Sequence, residues 1–261
     1  MSLDQPDGFV KHQTITRDAF LGGRLTLSQP RHGFRAGLDS VLLGAAVGEG
    51  RSRLLDLGSG VGTASLVALT HHAQLTATLA EQDRATLVLT RGNIGANGLA
   101  GRATAIEVDV TAKGSLRNAA GLVDNGYDAV MANPPFFDES AGTPAEDRSR
   151  AGARHMDGEA LDLWVKTAAS CAAARAEIIF IYPATHLAPL LASFTQRFGA
   201  VTILPLMPRP GLPANRILIR AIKGSRAPLT LLASRALHPA EDRAFAPEFD
   251  AIFRGDQLLV W

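Results

Sequence analysis

Residues 53–71 read RLLDLGSGVGTASLVALTH, and the order of residue types in this stretch decides the fold. Arg53 to Leu57 is a short run of branched apolar residues around one aspartate, the pattern of a buried strand. Gly58, Gly60 and Gly62 follow at alternate positions, and Thr63 to His71 then reads as a helix. Glycine, having no Cβ, lets backbone come close to a ligand at a helix N-terminus. The loop from Asp56 to Gly62 is therefore a candidate small-molecule loop. Its G-x-G-x-G spacing departs from the G-x-G-x-x-G dinucleotide fingerprint, and so does an aspartate two residues before the first glycine. A glycine-rich strand-to-helix turn without a ligand is the alternative, since tight turns need glycine anyway.

Outward from this unit, residues 53 to about 223 alternate short apolar runs with amphipathic stretches, the signal of βα units around a parallel sheet. Strands are predicted at Arg53 to Leu57, Leu75 to Ala80, Ala103 to Val108, Tyr127 to Ala132, Glu177 to Tyr182, Val201 to Leu206 and Arg216 to Ile222. Two further helices have clear period, one through Leu161, Trp164, Val165, Ala168, Ala169 and Ala172, the other through Leu187, Leu190, Leu191, Phe194 and Phe198. Met207 to Asn215 is rich in proline and glycine and too short for a crossover helix, so the last two strands should pair antiparallel. Phe20 to Leu27 reads as a hairpin and a short helix begins near Asp39 or Ser40. The expected fold is α/β: a seven-stranded, mostly parallel sheet with an antiparallel last strand and helices on both faces. Residues 1–52 would form a hairpin-helix lid on a main domain at 53–261.

Composition narrows the class. The chain has 261 residues, 46% of them hydrophobic and 20% charged, which excludes bulk disorder and is enough for one large core. A lone cysteine, Cys171, rules out an intrachain disulfide and a cysteine-cluster zinc site. No run approaches the roughly 18 apolar residues of a membrane span, and Asp4 and Asp7 stand where a signal peptide would be positive, so a cytoplasmic protein is expected. The formal net charge of +1 argues against a global basic field, and any nucleic-acid contact must come from a local patch. His71, His72 and His186 lack metal-ligand spacing and no G-x-S-x-G occurs, so metallohydrolase and serine-hydrolase readings find no support.

The ends of the predicted strands carry the candidate chemistry. Glu81 closes the second strand, where an acid usually accepts hydrogen bonds from both ribose hydroxyls of a nucleoside. Asp109 follows the third strand, placed to accept from an adenine exocyclic amine or to cap a helix. The fourth strand runs into Asn133-Pro134-Pro135-Phe136. The prolines lock an extended backbone and keep Asn133 out of the helical region. An aromatic exocyclic amine is a poor nucleophile because its lone pair is delocalised into the ring. Two acceptors on its N–H bonds favour the pyramidal geometry that frees the pair, and the Asn133 side-chain oxygen with the Pro134 carbonyl is such a couple. Phe136 would stack on an extruded base.

These two motifs, in this order, resemble the class I S-adenosylmethionine-dependent methyltransferases of the amino type. More narrowly, Gln29 to Val47, with Gly33-Phe34-Arg35 and Asp39-Ser40-Val41-Leu42-Leu43, and the tail from Lys223 through Leu237-His238 look like the bacterial tRNA(Val) adenine-N6 methyltransferase family. The resemblance covers the chain from about residue 15 onward. It implies S-adenosylmethionine as cofactor, Glu81 on its ribose, Asp109 on its adenine, Arg35 near cofactor or target, and methylation of adenine N6 in structured RNA, most simply a tRNA. Two departures stand out. Phe136 replaces the family's more usual tyrosine and is also typical of relatives that methylate guanine N2 in ribosomal RNA. Ala174-Arg175-Ala176 replaces a glycine pair before the fifth strand, which should change only a turn.

Residues 138–156, with Arg148, Arg150, Arg154 and His155, read as a closing flap. Arg209, Arg216, Arg220, Lys223 and Arg226 lie in a stretch without an acid and suggest a phosphate-binding face, or a solvated charged surface. Rival functions are guanine-N2 methylation of rRNA, glutamine-N5 methylation of a protein, and a non-catalytic nucleotide-binding module. The helical domain usual in the glutamine enzymes is not expected within residues 1–52. A monomer without metal is assumed.

Overall fold

The structure, a computed structural model, describes residues 15–31, 35–136 and 158–261. Strands β1 (Ile15–Phe20) and β2 (Leu25–Pro30) form an antiparallel hairpin, followed by helix α1 (Leu38–Ala45). The main unit then runs β3 (Arg53–Leu57), α2 (Thr63–His71), β4 (Thr76–Glu81), α3 (Arg84–Ala96), β5 (Ala103–Glu107), α4 (Gly114–Ala119) and β6 (Tyr127–Ala132). It continues with α5 (Gly158–Cys171), β7 (Ala172–Pro183), α6 (Leu187–Thr195), β8 (Phe198–Met207) and β9 (Arg216–Lys223). Two-residue strands β10 (Thr230–Leu231) and β11 (Arg235–Ala236) and helix α7 (Pro247–Arg254) complete it.

The sheet order is β10-β8-β9-β7-β6-β3-β4-β5, with β11 also on β8. All seven expected strands are present, and β9 is antiparallel to both β7 and β8. The expected count of seven needs correction to nine, because β10 and β11 each bridge β8 by two residue pairs. Pairings that short leave no periodic signal in a sequence.

Parallel strands covered by helices on both faces read as continuous apolar runs. Accordingly Leu54 to Leu57 and Ile178 to Tyr182 are buried throughout. Alternate residues feed two cores. One gathers Leu54 and Leu79 with α1, α2, α3, α7 and the hairpin, and the other gathers Leu55, Leu57 and Val130 with α5 and α6. The hairpin and α1 share the first core without a packing break at residue 52. Buried Asn93 of α3 stitches them in. Its Oδ1 accepts from Ser28 N at 2.7 Å, and its Nδ2 donates to the carbonyls of Ser28 at 3.1 Å and Val61 at 3.0 Å. Helix α1 presses so closely on α2 that a Cβ on Gly44 would stand 2.3 Å from the Ala64 carbonyl.

Ala174-Arg175-Ala176 lies within β7 and not in a turn ahead of it. The register of β7 on β6 shifts between Tyr127 and Ala129, and exposed Arg175 sits there at φ +63°. A left-handed conformation costs a non-glycine residue about 1–2 kcal/mol, offset in part by the lower entropy of its unfolded chain. Arg175→Gly is therefore expected to leave stability unchanged or raise it by up to about 1 kcal/mol. Urea denaturation checks this, and a loss of stability would show that the Arg175 side chain holds a contact of its own.

Candidate active site

The site lies where the parallel strands end at their carboxyl edge, the general ligand position of open α/β sheets. Leu57 of β3 is in register with Ala80 of β4 and Ala132 of β6. Gly58, Glu81 and Asn133 are therefore the next residues on three neighbouring strands. This juxtaposition brings the glycine loop, the second-strand acid and the amine loop together.

Gly58, Gly60 and Gly62 all have positive φ, at +64°, +55° and +91°. Their surroundings differ. A Cβ on Gly58 would lie 2.3 Å from Cη2 of Trp164, and one on Gly62 2.9 Å from Leu79 Cδ2, while one on Gly60 would meet nothing within 4 Å. The loop thus rests on the α5 tryptophan at one end and opens at Gly60. Glu81 and Thr90 fix it there. Gly60 N donates to Glu81 Oε2 at 3.0 Å, and Thr90 Oγ1 donates to the Gly60 carbonyl at 2.7 Å. The other Glu81 oxygen accepts from Asp83 N at 2.9 Å. Each carboxylate oxygen keeps a further lone pair, so Glu81 can prop the loop and still receive ribose hydroxyls. Glu81→Ala is expected to weaken cofactor binding by roughly 1.5–3 kcal/mol for each charged hydrogen bond lost. Calorimetry with S-adenosylmethionine checks this, and an unchanged affinity would move the ribose contact elsewhere.

Asp56 is the one polar residue in the buried run of β3, and its relative exposure is 1%. Its Oδ2 accepts from Ser65 Oγ of α2 at 2.8 Å. Burial pushes its pKa up to about 7, the Ser65 hydroxyl opposes this, and the nearby Glu81 charge adds to it. The folded value lies above the ordinary aspartate value, so this group's stabilisation is complete below about pH 4 and is lost as pH rises through about 7. The ligand-free protein should lose on the order of a few kcal/mol from this source between those limits. Asp56→Asn should therefore gain on the wild type as pH rises, which thermal melts at pH 5 and pH 8 would measure. Parallel pH curves would show that Asp56 ionises freely.

Asp109 is exposed and takes the Thr111 N–H and hydroxyl at 2.8 and 2.7 Å. It does not cap α4, whose N-cap is Lys113. None of Arg35's hydrogen bonds goes to the strand-end cluster. Its guanidinium donates to Asp18 Oδ2 at 2.7 Å, Thr16 Oγ1 at 2.9 Å and the Pro30 carbonyl at 3.3 Å. Gly33, Phe34 and the expected flap at 138–156 lie outside the described residues.

The amine loop carries the site's most telling atom. Asn133 Oδ1 is buried and has no hydrogen-bond partner among the described residues. No described group bonds the Pro134 carbonyl either. Buried acceptors are nearly always satisfied by protein, water or ligand, so this oxygen is placed to take a donor from outside the chain. Phe136 meets Tyr182 edge-on, with centroids 6.0 Å apart at 80°, and the Tyr182 hydroxyl reaches the Pro135 carbonyl at 3.5 Å. Sequence reading passed over Tyr182, which closes an apolar strand, and Trp164, which looked like an ordinary helix-stripe residue. It also passed over Thr63, whose buried Oγ1 likewise lacks a partner at the start of α2.

Four of the five cations expected to form a phosphate face are engaged within the chain. Arg216 stacks on Phe136 and pairs with Asp39, Arg220 stacks on Trp261, and Arg209 donates to the carbonyls of Pro239, Ala240 and Asp242. Lys223 donates to the carbonyls of Ala169 and Ala172. Strand β9 crosses the sheet, carrying Arg216 at the site's edge and Lys223 at the opposite one. Arg226 remains exposed. Among the described residues there is no group of three or more His, Cys, Asp or Glu arranged for a metal, and no helix long and apolar enough to cross a membrane.

The open cradle at Gly60, the acid at Glu81 and the orphan hydroxyl of Thr63 fit a nucleoside cofactor with a polar tail. The fold and site define a class I S-adenosylmethionine-dependent methyltransferase. Residues 39–154 match the methyltransferase small domain family. Along most of its length the chain is similar to the tRNA1(Val) (adenine(37)-N6)-methyltransferase of Trichodesmium erythraeum, with 26% identity covering 88% of this chain and 94% of that one. It is also 29% identical to the ribosomal RNA small subunit methyltransferase C of Klebsiella pneumoniae, over 56% of this chain but only 43% of that one. A crystal structure described as a predicted O-methyltransferase, Atu636 of Agrobacterium tumefaciens, superposes with a TM-score of 0.71. That pair is 28% identical over 85% of this chain and 98% of that one.

Proposed function

We propose that the protein methylates the N6 amine of an adenine in a structured RNA, a tRNA, and does so in the cytoplasm as a monomer. The observation that carries this reading is that the buried Asn133 Oδ1 and the neighbouring Pro134 carbonyl have no hydrogen-bond partner among the described residues. Two fixed acceptors suit a group with two N–H bonds, which a hydroxyl does not have. When bound, S-adenosylmethionine supplies a methyl group activated by the sulfonium. Asn133 and Pro134 hold the two N–H groups so that the nitrogen lone pair turns out of the ring plane toward that methyl. Their preorganisation makes the interaction stronger as charge develops on nitrogen than in the ground state. Glu81 and Asp109 hold the ribose and adenine of the cofactor, and the loop from Asp56 to Gly62 holds its remainder.

Similarity to the Trichodesmium enzyme over nearly both full lengths supports adenine in tRNA. Phe136 keeps a second reading in view, methylation of a guanine N2 in rRNA, because Phe136 is the residue typical of those relatives. Mass spectrometry of nucleosides from bulk tRNA and rRNA, comparing a deletion strain with its parent, decides between them. Loss of N6-methyladenosine from tRNA is expected. Loss of N2-methylguanosine from rRNA would establish the second reading, and no change in either pool would overturn both.

A further inference from the structure

We infer that Arg216 is a positioning residue for the target base, holding the Phe136 ring in plane and coupling that ring to helix α1 through Asp39. The inference rests on the reading of Phe136 as a stacking platform. The Arg216 Cζ lies 4.8 Å from the Phe136 centroid, over the ring. Its Nε contacts Asp39 Oδ2 at 3.0 Å and its Nη1 donates to the Asn215 carbonyl at 3.0 Å, with the side chain only 23% exposed. Guanidinium stacks on an aromatic face while its edge donors bond in their own plane. Arg216 thus covers one face of the ring, which also packs at 80° against Tyr182, itself 1% exposed and packed against His186 at 5.6 Å. A base stacking on Phe136 takes the other face. The ion pair with Asp39 leaves Arg216 little net charge to offer a phosphate.

The test compares Arg216→Ala, Arg216→Lys, Phe136→Ala and Arg216→Ala/Phe136→Ala on bulk tRNA from a deletion strain. It reads kcat, KM, cofactor affinity, melting temperature and the salt dependence of tRNA binding. Arg216→Ala should lower kcat about 3- to 30-fold, the range expected for loss of a half-buried cation–π contact. Cofactor affinity and the log–log salt slope should not change. The double variant should be no slower than Phe136→Ala alone, because both remove one ordered ring. Lysine should restore only part of kcat, since it keeps the charge without the planar stack.

A salt slope reduced by about 0.7–0.9 with lysine fully restoring activity would make Arg216 a phosphate contact and overturn the inference. So would additive rate losses in the double variant, or a lower melting temperature at wild-type kcat. An increase in kcat for Arg216→Ala would mean that the guanidinium occupies the base's own place. If Phe136→Ala turned over like the wild type, the stacking reading itself would fall. If Phe136→Ala were impaired and Arg216→Ala were not, only the present inference would.

Discussion

Asn133→Ala is expected to bind S-adenosylmethionine within a few-fold of the wild type and to turn over about 10²-fold more slowly or worse, as when one preorganised polar partner is removed from a reacting group. Its stability should stay level or rise. Asn133 Oδ1 makes no hydrogen bond among the described residues, so truncation breaks none and removes a buried acceptor that water no longer solvates. A residue whose loss harms turnover while sparing or improving the fold is there for chemistry. Single-turnover methyl transfer to a tRNA pool from a deletion strain, beside thermal melts of the same variants, measures both halves. Wild-type turnover would sink the amine-loop assignment, and a large drop in melting temperature would show that the carboxamide is structural.

Gly58→Ala is expected to destabilise the protein by roughly 2–5 kcal/mol and to weaken cofactor binding steeply. Two causes add. The residue sits at φ +64°, where a Cβ costs about 1–2 kcal/mol, and that Cβ would lie 2.3 Å from the Trp164 ring, an overpacking that typically costs another 1–3 kcal/mol. Relaxing the ring contact moves either the glycine loop or α5. Trp164→Leu alone should also destabilise, by loss of buried ring surface. The double variant should then be less destabilised than the sum of the two, because the smaller side chain makes room for the added methyl. Chemical denaturation of the four proteins gives this coupling directly. Strict additivity would mean that the backbone conformation alone, and not the tryptophan, demands glycine there.

Much of the architecture is legible in the sequence because parallel strands announce themselves as apolar runs. Arg53–Leu57, Tyr127–Ala132 and the helix Thr63–His71 lie where their residues predict. The antiparallel β8–β9 pairing follows from the short proline-rich connection alone. Helix α3 gives little sign of itself, since Gly92, Gly95 and its threonines dilute the apolar stripe that Leu87 and Ile94 bury. Helix α7 could have been read from proline at its start, Glu248 and Asp250 in the first turn and Gly255 at its end.

At the site, sequence supplies the groups that each strand end delivers, because a motif and its strand travel together. It does not supply what the fold assembles from distant segments. Asp39 and Arg216 meet although 177 positions separate them, and Trp164 lies against a loop coded far earlier in the chain. The partners of the basic stretch are hidden for a related reason: closeness in sequence along β9 carries Arg216 and Lys223 to opposite edges of the sheet.

The placement of β9 between β7 and β8 also governs the order of events during synthesis. When the ribosome has released β7, the sheet from β5 to β7 can already form, but the outer rim of β7 is an unpaired row of peptide groups along an apolar strand. Its final neighbour arrives only after α6, β8 and the proline-rich connection have been made, and must slot between two strands that precede it in the chain. During that interval the nascent protein carries the kind of open edge that recruits other chains. A stalled or truncated product ending before Arg216 would therefore be an aggregation hazard in a way that the finished enzyme is not.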